Sequence, residues 1–453
     1  MITTVFNLRK ILIFTFITAS FGTVNAQTSL DKYIETGLKN NLVLQQKNIG
    51  LEKAMYSLKT ANSLFLPSIG IKGDYQSGEG GRSIAIPLGD IMNPVYGTLN
   101  QLTMSNAFPQ ISNVETNFLP NNFYDAKIRT TLPIINSDLI YNHKIQKQQV
   151  SLQTFEVEIY KSELIRSIKV AYYNFLSATQ AVSIYESALT LAKEGKRINE
   201  SLVKNGKGIS AYVLRSESEI QNLQAAITSA QEKSRNAQLY FNFLINVDAS
   251  QSIDTLNSNE VDETKVANYL LTEVSTAKRT ELKALETSAS VYENVVKMNK
   301  AFWTPKLNSF LDLGSQAKDW KYNQDSRYYF VGLQLDVPLF AAGKNSYKTK
   351  QSKLDLQNHQ LNSNYISKQI QLSAEVAKNN LKTSNENYTA GKKQLEAAKA
   401  YYNLIDKGYK EGVNTFIETV DARNQLASAS LLVIINKYQL LAAVANYERE
   451  ITK

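Results

Sequence analysis

The sequence predicts a mainly α-helical protein with a smaller β part: a tandem repeat of long coiled-coil hairpins that together carry four strands. Three observations predict this. Apolar residues recur at alternating gaps of three and four over long stretches free of proline, as in helices packed along their length. Four short segments alternate apolar with polar residues, as half-buried strands do. Prolines and turn glycines recur in the same order in both halves of the chain.

The chain has 453 residues, 43% of them apolar and 20% charged, which suits a folded protein. Arg9 and Lys10 precede an apolar stretch from Ile11 to Val24, and Val24-Asn25-Ala26 fits a small-residue cleavage site. Residues 1–26 therefore read as an export signal peptide. An uncleaved anchor fits less well, because Thr15, Thr18, Ser20 and Gly22 interrupt the stretch. It reads as the one long apolar run of the chain, which argues against a polytopic helical membrane protein. There are no cysteines, which excludes disulfides, thiolate metal sites and a lipidated N-terminal Cys. His143 and His359 are too few for a His-rich metal or acid–base site. The net charge of +9 comes from Lys residues scattered singly along helices, which read as solvated faces and not as a nucleic-acid surface.

The first repeat spans residues 27–248. A helical pattern over 29–63 ends at Leu66-Pro67. The strand over about 67–75 sets Ile69, Ile71 and Tyr75 against Lys72 and Asp74. Residues 76–122 hold Gly78, Gly80, Gly81, Pro87, Pro94, Pro109 and Pro120 and read as a long loop. In the strand at 123–133, Tyr124, Ala126, Ile128, Thr130 and Leu132 alternate with Asp125, Lys127, Arg129 and Thr131, up to Pro133. A helix over 137–203 follows, with a seam from Leu164 through Phe175 and Val182 to Ala192. At 1.5 Å per residue it would span on the order of 100 Å, far more than a globular core requires. A turn at 204–208, containing Gly206, leads to a return helix over 210–245.

A polar connector at 249–264 precedes the second repeat, 265–453, which follows the same plan. A helix over 265–301 meets Thr304-Pro305, and a strand over about 305–313 follows. The strand over about 328–338 closes at Pro338. A helix over 345–407 then reaches the turn 408–414, Gly408-Tyr409-Lys410-Glu411-Gly412-Val413-Asn414. The last helix has the seam Ile417, Val420, Ala427, Leu431, Ile434, Tyr438, Leu441 and Ala445, with Asn424 in its one polar slot. Pro67, Pro133, Pro305 and Pro338 all fall at helix–strand junctions, and the strand-to-strand loop of the first repeat is about 33 residues longer than that of the second.

Each strand is about long enough to cross a bilayer when tilted. Four strands cannot close a barrel, and open edges are not tolerated in lipid, so closure must come from oligomerisation. Trp303, Tyr75, Trp320, Tyr322, Tyr328 and Tyr329 lie near strand ends, as membrane-interface belts require. A soluble sheet with core aromatics is the alternative.

The tandem repeat, the four junction prolines and the run from Gly408 to Thr415 leading into Glu418 and Asp421 resemble the TolC family of outer-membrane efflux channels across about residues 28–453. The resemblance implies a homotrimer whose strands form a 12-stranded outer-membrane barrel, continued by a 12-helix periplasmic tunnel. Implied partners are outer-membrane lipid, a periplasmic adaptor and an inner-membrane transporter of the resistance–nodulation–division (RND) or ABC type. It also implies that Glu418 and Asp421 line the pore constriction, and that Gly206, Gly412, Tyr409 and Asn414 belong to the gating and adaptor-docking tip. Glu418 has a second reading, because Thr415-Phe416-Ile417-Glu418 is a capping box. Asn414 stands where the well-known member has arginine, and Tyr212 where its aspartate partner would be, so that member's lock does not transfer intact.

No catalytic or cofactor motif is legible. Ala342-Gly343-Lys344-Asn345 lacks the rest of a P-loop, and Gly78-Glu79-Gly80-Gly81 is expected to lie in a loop with no helix after it. The expected function is a passive exit duct for small molecules in a tripartite efflux system. The alternatives are the exit duct of type I protein secretion and a coiled-coil envelope protein without a pore.

Overall fold

The computed structural model describes residues 29–119, 121–255 and 260–451; the expected signal peptide and Pro120 lie outside them. In chain order the elements are α1 (Ser29–Asn40), α2 (Leu42–Ser63), β1 (Ser68–Gln76), β2 (Ser83–Ile86), α3 (Leu88–Leu102), β3 (Val114–Asn117), β4 (Phe123–Ile135), α4 (Ser137–Lys204), α5 (Ser210–Ile245), α6 (Glu263–Leu271), α7 (Thr280–Lys300), β5 (Lys306–Lys318), β6 (Arg327–Asp336), α8 (Lys344–Lys410) and α9 (Phe416–Ile451). No proline interrupts α4 or α8, so their hydrogen-bond ladders run through 68 and 67 residues.

Several elements differ from the sequence expectation, each for a local reason. The helix expected over 29–63 breaks at Asn41, whose side chain donates to Leu244 O (2.9 Å), while Asn246 donates to Asn40 O (3.1 Å). The helix expected over 265–301 is two, α6 and α7, separated by residues 272–279. The segment 76–122 is not a plain loop, since it holds α3 and the paired β2 and β3. Pro133 does not end its strand. β4 runs to Ile135 with a register shift between Pro133 and Ile135, the kind of irregularity at which a missing N–H is tolerated. Pro67, Pro305 and Pro338 lie between elements. β5 extends to Lys318, five residues past the expected end.

Contacts divide the described residues into two units. The first comprises 29–41, 164–265 and 384–445, apart from the undescribed 256–259. Its core includes Tyr33, Tyr172 and Phe241, whose ring centroids lie 5.1 to 5.9 Å apart. Tyr172 donates to Asp254 O (3.0 Å), and burial pushes its phenol up to about 12. Tyr438 on α9 accepts a hydrogen bond from Gln180 on α4 (2.7 Å).

The second unit comprises 42–163, 266–383 and 446–451, again within the described residues. Its sheet has the order β1-β4-β5-β6 with every pair antiparallel, which leaves one edge of β1 and one of β6 unpaired among the described residues. One face carries a charge network. Lys127 pairs with Asp125 (2.5 Å), Tyr328 donates to Asp125 (2.6 Å), and Arg129 grips Asp312 with two hydrogen bonds (2.7 and 2.5 Å) while lying over Phe310. The hydroxyl of Tyr328 therefore serves the polar face, not an aromatic belt. The opposite face is apolar and bare, with Ile71 85% and Val331 67% exposed. At one end of the strands Trp320 stacks against Tyr75 and Tyr124 (5.5 and 5.3 Å), and Tyr322 packs on Tyr124 (4.7 Å). Trp303, between α7 and β5, is also exposed. Elsewhere in this unit buried Arg279 donates to Glu281 and Glu450, and Arg449 donates to Glu163 and Glu281.

The buried side of α9 takes in only part of the expected seam. Ile417 and Asn424 are exposed, and Phe416, Val420, Arg423, Val433, Leu440, Ala443 and Tyr447 are buried, with Leu426 and Ser430 between them half-buried. Tyr438, Leu441 and Ala445 are buried as well, so this helix is covered over a wide arc. By length and composition α9 is also apolar enough to cross a membrane, which makes it a second long apolar run beside the expected signal peptide.

Candidate functional site

The two helix turns close in the same way. After α4, Gly206 N donates to Val203 O (3.0 Å) and Lys207 N to Leu202 O (2.9 Å). After α8, Gly412 N donates to Tyr409 O (3.1 Å) and Val413 N to Gly408 O (2.8 Å). Both are Schellman ends with glycine in the left-handed region, at φ 68° and 78°. Gly208 is needed for space instead, since a Cβ there would strike the backbone of Leu202 and Val203.

Glu418 is engaged as a cap. Its carboxylate accepts from Thr415 N (2.6 Å), Thr415 Oγ1 (3.0 Å) and Asn414 Nδ2 (3.4 Å), while Glu418 N donates back to Thr415 Oγ1 (3.3 Å). The backbone N–H of Thr415, then its hydroxyl and Asn414, hold the carboxyl below its ordinary value. Asp421 is exposed on the next turn, where Gln425 donates to it (2.8 Å). Asn414 thus has a partner within its own turn.

Tyr409 reaches a partner that sequence reasoning missed. Its hydroxyl donates to Asn199 Oδ1 (2.9 Å), Asn199 Nδ2 donates to Ser216 Oγ (3.1 Å), and Ser216 donates to Tyr212 O (2.8 Å). Asn199 is 2% exposed, and burial raises the Tyr409 phenol. Phe416 lies between the rings of Tyr212 and Tyr409 (5.1 and 6.4 Å). Arg423 donates to Leu191 O (3.1 Å), its guanidinium filling the space left by Gly195. Residues of α4, α5, α8 and α9 are thereby joined by one polar and aromatic cluster beside the two turns. A signal for Asn199 existed: the spacing of the α4 seam, continued past Ala192, reaches Lys196 and then Asn199.

A sheet with one bare apolar face and one charge-paired face, in a chain of paired long helices, is the arrangement expected of an outer-membrane channel protein. Residues 271–448 match the family described as outer membrane efflux protein. It is 19% identical over 461 residues to outer membrane protein TolC of Salmonella enteritidis, covering 95% of this chain and 85% of TolC. It is 20% identical over 330 residues to the alkaline protease secretion protein AprF of Pseudomonas aeruginosa, covering 71% of this chain and 69% of AprF. The fold resembles the Campylobacter jejuni CmeC outer membrane channel at TM-score 0.74 and 15% identity, covering 93% of this chain and 85% of CmeC.

Proposed function

We propose that three copies pair their sheets edge to edge into a 12-stranded barrel across the outer membrane, continued by a 12-helix periplasmic tunnel. The assembly is a passive exit duct for small molecules delivered by an RND- or ABC-type inner-membrane transporter through a periplasmic adaptor. The observation that carries this reading is the four-stranded sheet, whose apolar face is bare and whose two edges have no partner among the described residues. Open edges are not stable in lipid, and closure with further copies removes them.

In this assembly Gly206 and Gly412 shape a tip that the adaptor docks against, and Tyr409 with Asn199 ties the hairpins together there. Asp421 lines the constriction, where three copies gather like charges that attract cations. Glu418 contributes chiefly as a cap. The duct needs no cofactor and no catalytic group.

Native mass spectrometry and planar-bilayer recording of the purified protein test the proposal. The expected result is a trimer that conducts ions, and a monomeric mass overturns it. A second reading keeps the duct and changes the cargo to protein, favoured by the similarity to AprF. Deleting the gene separates the two: sensitisation to small toxic compounds supports efflux, whereas loss of one protein from the culture medium supports secretion.

A further inference from the structure

Residues 83–119 are the part of the chain that the plan of strands and helices leaves unused. β2 and β3 pair from Ser83↔Asn117 to Ile86↔Val114. Below them Phe118 N donates to Arg82 O (2.9 Å) and Ser77 Oγ donates to Asn121 Oδ1 (3.0 Å). The insert is therefore a ribbon that prolongs the β1–β4 hairpin beyond Gln76 and Phe123, with α3 at its tip.

α3 is inside out. Asn93 accepts from Ile111 N (2.9 Å) and donates to Ile111 O (3.0 Å). One heptad on, Asn100 makes the same pair with Phe108 N (3.0 Å) and O (2.8 Å). Asp90 and Asn113 bond reciprocally, N–H to Oδ1 at 3.2 Å and Nδ2 to carboxylate at 3.0 Å. A Cβ at Gly89 would strike Ile111 O, so the returning chain lies directly against this face. The polar face is used up inside the insert, and the apolar face is held outward. Leu88, Ile91, Val95 and Leu102, at helical spacing, are all exposed, Ile91 by 61% and Leu102 by 75%. Met104 beside them is 97% exposed. A fixed apolar stripe of this kind marks a surface meant to be covered.

Charge and placement decide what covers it. Between residues 83 and 119 the charged residues are Asp90 and Glu115, with no Lys or Arg. Helices that lie on membranes keep a basic polar face toward the headgroups, and this helix has neither a free polar face nor a base. A second copy of the same neutral stripe meets no charge penalty. The ribbon continues β1, an edge strand, so closing the barrel brings neighbouring inserts together at one level and at high effective concentration.

We propose that the α3 stripes of neighbouring copies pack against one another beyond the strand ends, forming an apolar cap over the barrel mouth. This rests on the oligomeric barrel proposed above. The cysteine-free chain allows a direct test with single cysteines at Ile91, at Val95 and, off the stripe, at Gln101. Copper phenanthroline oxidation of the assembled protein in membranes should link two copies through I91C or V95C, and Q101C should stay unlinked. I91C and V95C should also resist a water-soluble maleimide. Adding Val95→Asp to I91C should abolish the link and restore labelling, with the trimer mass unchanged. A trimer whose I91C and V95C are freely labelled and unlinked overturns the cap and leaves the duct standing. So does a trimer in which V95C is shielded and unlinked, and a fluorophore there is quenched by brominated lipid, because the membrane then covers the stripe. A monomeric mass removes both the duct and the cap.

Discussion

At the scale of residues, two carboxylates three apart divide their work by environment. Glu418 is saturated by Thr415 and Asn414, whereas Asp421 has one side-chain donor and faces solvent. Asp421→Asn should therefore lower cation selectivity in bilayer recordings, and unchanged selectivity would remove it from the constriction. Glu418 is expected to show itself through pH instead. Its carboxyl titrates below the ordinary value when folded, so its contribution is complete above the unfolded-state value and is lost as pH falls through the folded one. Hydrogen exchange over residues 411–420 should be slower in the wild type than in Glu418→Gln at neutral pH, and the difference should vanish in acid. Tyr409→Phe leaves Asn199 Oδ1 buried without its donor, at a cost of about 1–3 kcal/mol. Longer open dwell times in single-channel records are expected from it, and unaltered gating would reduce the contact to packing.

At the scale of elements, the turns show how glycine serves two purposes. Gly412→Ala places a side chain in the left-handed region, at about 1–2 kcal/mol. Gly208→Ala meets the α4 backbone instead, and should lower the unfolding temperature more than Gly206→Ala, whose Cβ would meet nothing within 4 Å. Equal shifts would count against this account. The long helices were legible because apolar spacing and the absence of proline act along the chain itself. The row that α9 buries was not. Heptad spacing reports that a helix is covered, but several neighbours cover this one, and Ile417 and Asn424 fell on the exposed side of that arrangement. Pro133 was read as a strand end because proline lacks an N–H, yet a register shift lets the strand pass it.

At the scale of the whole molecule, the proposed duct sets the apolar face of the sheet in hydrocarbon and closes its edges with further copies. Val331→Lys, on the bare face, should cost about 2–4 kcal/mol near the bilayer midplane and reduce insertion measured by heat-modifiable migration. Gln334→Lys, on the other face of β6, should be tolerated, and equal effects would argue against a lipid-facing surface. The sequence by itself determined the periodicities: where the longest helices run, where the four strands of the main sheet alternate, where glycine must turn the chain, and which family it resembles. These are local, carried by residues a few positions apart. Only the tertiary structure decided which polar groups meet: Tyr409 with Asn199, Arg129 with Asp312, and Asn93 and Asn100 with the returning chain at Ile111 and Phe108 that turns α3 inside out. Such pairings depend on close approach between separate segments, and periodicity along one segment carries no record of what lies opposite.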